Sequence, residues 1–293
     1  MTPTRPDLLI LGQNGQLARA LFDVAKSKAI NAVAAGRRSV DLTRQGAAQQ
    51  LIGSLQPSMV INAAAYTAVD QAESDEKTAF ALNASAAADA AAAAAQHGAR
   101  FVQVSTDYVF GGAGTGPYSE QDEAAPLNVY GRSKLAGEIA VLERDRRAVV
   151  VRTSGVFSGE GSDFPSAMWR LAASRDSIDV VDDQLTTPIY VGDLAERLLT
   201  LAQAPGASGL YHCGGAPGVS WAEFAETAMA IAAKRGLPSA QINRVSSQAF
   251  KRAAMRPSDS RLSSTRLESE TGHAPAEWRT GLERALDAWI GNR

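Results

Sequence analysis

Cysteine and histidine are nearly absent from this chain, and their scarcity removes whole classes of protein. The single Cys213 among 293 residues excludes an intramolecular disulfide. Three histidines, His97, His212 and His273, are too scattered to resemble a zinc site, and no metal is expected. An excess of one charge is missing too: 29 basic against 31 acidic side chains leave a net charge of -2. Neither nucleic acid nor an anionic membrane would find a broad electrostatic footprint here, so any bound anion must be met locally. No run of about 18 apolar residues occurs, and the amino terminus lacks a basic segment leading into an apolar stretch. The expectation is a soluble, cytoplasmic protein without a membrane partner.

What is present suffices for a folded core. With 45% hydrophobic residues, the chain can form one large domain or two unequal ones. Ala84 to Ala95 is nearly all alanine, which helix propensity explains, with Gly98 as a stop signal. Asp7 to Leu11 reads as a strand, followed by a glycine turn and apolar residues at helical spacing from Leu17 to Ala25. The pattern recurs, with strands expected at Ile30 to Ala35, Met59 to Asn62, Phe101 to Ser105 and Val149 to Arg152. Wholly apolar strands alternating with helices imply an α/β fold, a Rossmann-like doubly wound parallel sheet covered on both faces. The regularity weakens after Thr153, where helices such as Trp221 to Arg235 and Gly281 to Ile290 follow loops. Residues 1-154, with a returning segment near 186-213, should therefore bind the dinucleotide. Residues 155-185 and 214-293 should form a smaller interleaved substrate-binding domain.

The turn Gly12-Gln13-Asn14-Gly15-Gln16-Leu17-Ala18 lies between the first strand and the first helix, where free backbone N-H groups and the helix dipole favour a pyrophosphate. Where an acidic residue would hold the ribose 2'-hydroxyl of NADH, the second strand ends in Gly36-Arg37-Arg38. A guanidinium suits a 2'-phosphate, which favours NADPH over NADH, although two arginines on a loop also fit plain solvation.

Ser105-Thr106-Asp107 ends the fourth strand, and Tyr130 and Lys134 sit one helical turn apart on a single face. Reduction of a ketone needs a proton as well as a hydride, and a free phenol near pKa 10 is a sluggish acid. A neighbouring ammonium lowers that value, and Thr106 can hydrogen-bond the developing alkoxide. Such a spacing also describes an ordinary helix face; the ordered set of glycine loop, Ser-Thr and Tyr-Lys carries the chemical reading.

These motifs, with Asn62-Ala63-Ala64-Ala65-Tyr66-Thr67-Ala68-Val69-Asp70, Pro126-Leu127-Asn128-Val129-Tyr130-Gly131 and Arg256-Pro257-Ser258-Asp259-Ser260-Arg261-Leu262, resemble the extended short-chain dehydrogenase/reductase superfamily. Within it the chain is similar, nearly end to end, to the dTDP-4-dehydrorhamnose reductases of nucleotide-sugar and polysaccharide biosynthesis. The resemblance implies an NADPH-dependent reductase of a 4-keto sugar nucleotide, with Thr106, Tyr130 and Lys134 catalytic. It implies a cofactor site formed by Gly12, Gln13, Asn14, Gly15, Gln16, Leu17, Arg37, Asp41, Leu42, Ala63, Ala64, Ala65, Tyr66, Thr67, Tyr130 and Lys134. Substrate would meet Thr106, Asp107, Tyr130, Gly155, Arg256 and Arg261, the two arginines as a diphosphate clamp. Tyr108 stands where related dehydratases carry a glutamate, which favours simple reduction. Three positions depart from the family's habit. Gly155 replaces a tryptophan, Ala20 replaces a glutamate that helps bind magnesium between subunits, and Tyr66 replaces a histidine. A monomer or a homodimer without a linking metal is expected. A reductase or epimerase of another nucleotide sugar, and a non-catalytic NADP-binding regulatory subunit, remain as alternatives.

Overall fold

In a computed structural model, residues 5-114 and 116-291 are described, so the outer limits expected for the two parts, 1 and 293, lie outside the described residues. Five strands follow the expected order: β1 (Leu8–Leu11), β2 (Ala32–Ala35), β3 (Met59–Asn62), β4 (Arg100–Thr106) and β5 (Val149–Thr153). Gly209–Cys213 adds a sixth beside β5, inside the segment expected to return to the sheet. All neighbours are parallel, and the spatial order runs from Gly209–Cys213 through β5, β4, β3 and β1 to β2. The order reverses between β1 and β3, which opens a crevice at their carboxyl ends.

Alternation of side chains across each strand builds two cores from one sheet. On one face Leu8, Ile10, Ile61, Val102, Val149 and Val151 meet Leu21 of α1 (Gln16–Ser27) and Leu194 and Leu198 of the helix Val191–Gln203. On the other, Leu9, Leu11, Val60, Phe101 and Val150 meet Ile52 of α2 (Ala47–Leu55) and the alanines of α3 (Ala86–Gln96). Their methyl groups let α3 lie close to the sheet, and the run is entered through a π-turn, Ala81–Ser85. The helix α4 (Val129–Arg144) follows β4 and carries Tyr130 and Lys134.

Two boundaries shift for local reasons. Ile30 stays outside β2 because Ala29 turns left-handed (φ 55°) and the Ile30 N-H closes the end of α1 on the Ala25 carbonyl at 2.9 Å. β5 extends to Thr153 because Cys213 continues the ladder beside it. Three further helices, Phe164–Ala172, Trp221–Lys234 and Trp278–Gly291, enclose a third core around Trp169, Phe224, Trp278 and Leu282. The parallel pair Ser177–Val181 and Gln241–Val245 flanks this core. Leu267 and Ala276 pack in the main core instead, so the chain crosses back to the sheet before its last helix.

Candidate active site

A cavity of about 380 Å³ opens at the sheet's switch point, bordered by Gly15, Gln16, Leu17, Ala63, Ala64, Ala65 and Thr67 on one side and by Thr106, Asp107, Tyr130, Lys134 and Gly155 on the other. Gly12 holds φ 110°, and a Cβ there would lie 3.3 Å from the backbone of Ala63 and Ala64, so this position favours glycine. Gly15 begins α1 without a side-chain cap, which leaves the first N-H groups of a 12-residue helix available to an anion. Gln16 donates Nε2 to the Val156 carbonyl at 3.0 Å, while its Oε1 is buried without a partner. Gln13 and Asn14 lie exposed on the same turn. These features fit a dinucleotide: glycines at both ends of the turn, open N-H groups and an unused buried acceptor.

The outer cofactor positions differ more among themselves. Arg37 and Arg38 are exposed after β2 and have no hydrogen bond or ion pair among the described residues. Asp41 is held by Thr43, whose Oγ1 donates at 2.6 Å and keeps the carboxyl below its usual range. Leu42 packs into the second core face. Neither residue borders the cavity. Tyr66 packs with Ala72, Ala79 and Val129, and burial raises its phenol. The sequence reading missed the residue that sets this loop. Asn83, in the π-turn, accepts the Tyr66 N-H at 2.8 Å, donates to the Tyr66 carbonyl at 3.1 Å and reaches Ser133 Oγ at 2.9 Å.

Tyr130 and Lys134 border one cavity because α4 starts at Val129, capped by Asn128 Oδ1 accepting the Gly131 N-H at 2.8 Å. Burial pushes the Tyr130 phenol above its ordinary value, against a pull from the neighbouring Thr106 hydroxyl. Lys134 Nζ donates to the Val104 carbonyl at 2.6 Å, and burial lowers its pKa to about 8. The expected lowering of the phenol by this ammonium is absent from the protein alone, where the phenol feels burial, Thr106, Asp107 and Tyr108. Asp107 lies on the cavity floor with its carboxylate already engaged: it accepts Ser260 Oγ at 2.6 Å, Ser154 Oγ at 2.7 Å and Thr106 Oγ1 at 3.0 Å. Gly155 is left-handed (φ 51°), and a Cβ would come within 3.1 Å of Pro188 Cα. Behind the cavity Glu138 is buried against Arg152, with Nη2 to Oε2 at 2.7 Å, and accepts Ser105 Oγ at 2.5 Å.

The two arginines expected to clamp a diphosphate are separated. Arg256 grips Asp70 through two bonds, 3.1 and 2.7 Å, and borders a second cavity of about 620 Å³. Arg261 grips Asp259 at 2.9 and 2.6 Å and borders neither cavity. Each guanidinium has met a carboxylate close by, so the clamp is not assembled here. The larger cavity offers other anchors: Phe164, Trp221 and Phe250 as aromatic walls, and Arg175 and Arg252 beside Arg256. No local motif marks them, since they come from four separate stretches of chain.

A parallel sheet with a glycine-bounded phosphate turn, and a Tyr-Lys pair facing it across one cavity, define a dinucleotide-dependent oxidoreductase of the short-chain type. The family model described as the RmlD substrate binding domain matches residues 6–290, and the chain belongs to that family. A dTDP-4-dehydrorhamnose reductase of Mycobacterium tuberculosis (strain CDC 1551 / Oshkosh) is 44% identical over 287 residues, 96% of this chain and 92% of the relative. The crystal structure of a dTDP-4-dehydrorhamnose reductase from Bacillus anthracis str. Ames in complex with NADP superposes with a TM-score of 0.91 at 33% identity, covering 97% of this chain and 100% of the other. One from Clostridium acetobutylicum gives the same score at 34% identity, covering 97% and 99%.

Proposed function

We propose that this protein reduces the C4 ketone of dTDP-4-dehydrorhamnose to the alcohol of dTDP-L-rhamnose with NADPH, in the cytoplasm. The observation that carries the reading is that Tyr130, Lys134 and Thr106 share one cavity with the Gly15 and Ala63–Ala65 edge. NADPH, when bound, supplies the hydride. Gly12, Gly15, Gln16 and Ala63 to Ala65 would hold it, with Arg37 at the 2'-phosphate.

The protein's own part is the proton and the charge. Hydride arriving at C4 leaves negative charge on oxygen, and Tyr130 O-H gives that oxygen its proton. Held above its ordinary pKa in the protein alone, the phenol keeps its proton at neutral pH but is a weak acid, so its release calls for a nearby cation. Transfer leaves a phenolate, which the Lys134 ammonium compensates; because burial brings Lys134 down to about 8, rates should fall above that pH. Thr106, whose one hydroxyl proton rests on Asp107 in the protein alone, would turn it to the C4 oxygen as charge develops there. The aromatic and arginine-bordered cavity would take the base and diphosphate of the sugar nucleotide, with Trp221 or Phe250 available for stacking.

The test follows NADPH consumption with enzymatically prepared dTDP-4-keto-6-deoxy sugar, and with the UDP analogue in parallel. Oxidation with the dTDP sugar alone is expected. Equal rates with both nucleotides would keep the reductase and sink the dTDP assignment; silence with both would leave the regulatory reading.

A further inference from the structure

Glu138 and Arg152 form an ion pair that the reaction scheme does not use, and both are almost fully buried, with side-chain exposures of 2% and 3%. Arg152 approaches the carboxylate through Nε, at 3.0 and 3.1 Å, and through Nη2, at 2.7 Å. Stability does not account for such a pair, since apolar side chains of similar volume commonly hold a core as well or better.

Its position supplies another account. Glu138 lies one turn beyond Lys134 and two beyond Tyr130, so the three share a face of α4. Two consecutive residues of β4 fasten two consecutive turns of that face: the Val104 carbonyl accepts from Lys134 Nζ, and Ser105 Oγ donates to Glu138 Oε1. The next residue of β4 is Thr106. From β5, Arg152 reaches the same carboxylate, and the next residue, Thr153, borders the cavity.

We propose that Glu138 is a positioning residue for the reduction: its carboxylate, gripped by Arg152 and Ser105, locks the turn carrying Lys134 against the ends of β4 and β5 and keeps a negative charge one turn from the ammonium. The inference rests on Lys134 serving the reaction as proposed above. Elements packed against α4 bring Asp107 and Tyr108 from the turn after β4, Arg152 from β5, Asp89 from α3, and Asp70, Glu73, Glu76 and Lys77 from the segment before the π-turn. Against this background Glu138 is the charge that acts on Lys134, favouring its protonated form where burial opposes it.

The test is kcat against pH for the whole enzyme, with NADPH and the dTDP-4-keto sugar. Glu138→Gln keeps the shape and removes the charge. Its kcat should fall roughly 10- to 100-fold through loss of alignment. The alkaline limb should move down by about one pH unit as Lys134 loses its counter-charge. Should the unpaired Arg152 prevent folding, the double variant Glu138→Met with Arg152→Met, which leaves apolar packing in place, carries the same two expectations. A folded variant with kcat within about twofold of native, or with a lower kcat but an unmoved alkaline limb, overturns the proposal. Lys134→Met separates the two layers. If it stays active, the role of Lys134 itself fails; if it is dead while a Glu138 variant behaves as native, only the positioning role fails.

Discussion

The two cavities are built on opposite plans. The one at the switch point is bordered mainly by backbone and small side chains, Gly15, Ala63, Ala64 and Ala65, with its reactive groups on the adjoining strand end and helix. The larger one is walled by Phe164, Trp221 and Phe250, with Arg175, Arg252 and Arg256 between them. On the proposed assignment, chemistry is placed where strand ends and a helix converge, and recognition is left to long side chains. Changes in the first should act on the rate of the chemical step, and changes in the second on affinity.

Substitutions that remove one function and spare the other sharpen this contrast most. Tyr130→Phe deletes the proposed proton donor with little change of shape, and kcat should drop roughly 10²- to 10⁴-fold with little change in KM. Trp221→Ala should do the reverse, raising KM for the sugar nucleotide about 10- to 30-fold and leaving kcat near native. If steady-state kinetics show that Trp221→Ala lowers kcat instead, the division between the cavities is wrong. A smaller effect is expected at the outer edge of the cofactor site. Arg37→Ala should raise KM for NADPH roughly tenfold and leave KM for NADH unchanged, since only the former carries a phosphate for the guanidinium to meet.

The smallest effect lies outside both cavities. His212 is wholly buried, and burial, then the charge of Arg152, depresses its pKa to about 4. The unfolded chain takes up a proton near pH 6.5 that the folded chain refuses, so this residue lowers stability progressively as pH falls from about 6.5 to about 4. In His212→Asn the thermal midpoint should vary less over that window; an unchanged profile would discharge the residue from the acid response.

Legibility in the sequence divides along the same line as the cavities. Strands β1, β3, β4 and β5 could be read because a parallel sheet buried on both faces demands uninterrupted apolar runs. The glycine turn and the Tyr-Lys pair could be read because short spacings on one element fix geometry. Asn83 gave no signal, since its role depends on a π-turn folding it back onto Tyr66, a contact spanning 17 residues. Trp221 and Phe250 gave none either, as nothing local separates a cavity wall from a core aromatic. Arg256 shows a related limit: its motif reveals a charge but not Asp70, the distant carboxylate that tertiary structure sets beside it.

Asp107 has a consequence for how the enzyme can open. Hydroxyls from positions 106, 154 and 260 converge on this one buried acid, drawn from β4, the loop after β5 and the late C-terminal segment. Spreading these segments would strand a carboxylate in a dry interior, a steep penalty. The base of the cleft is therefore pinned, and on the proposed assignment admission of substrate and release of product belong to the rim, where the exposed Asp70 holds a mostly buried Arg256.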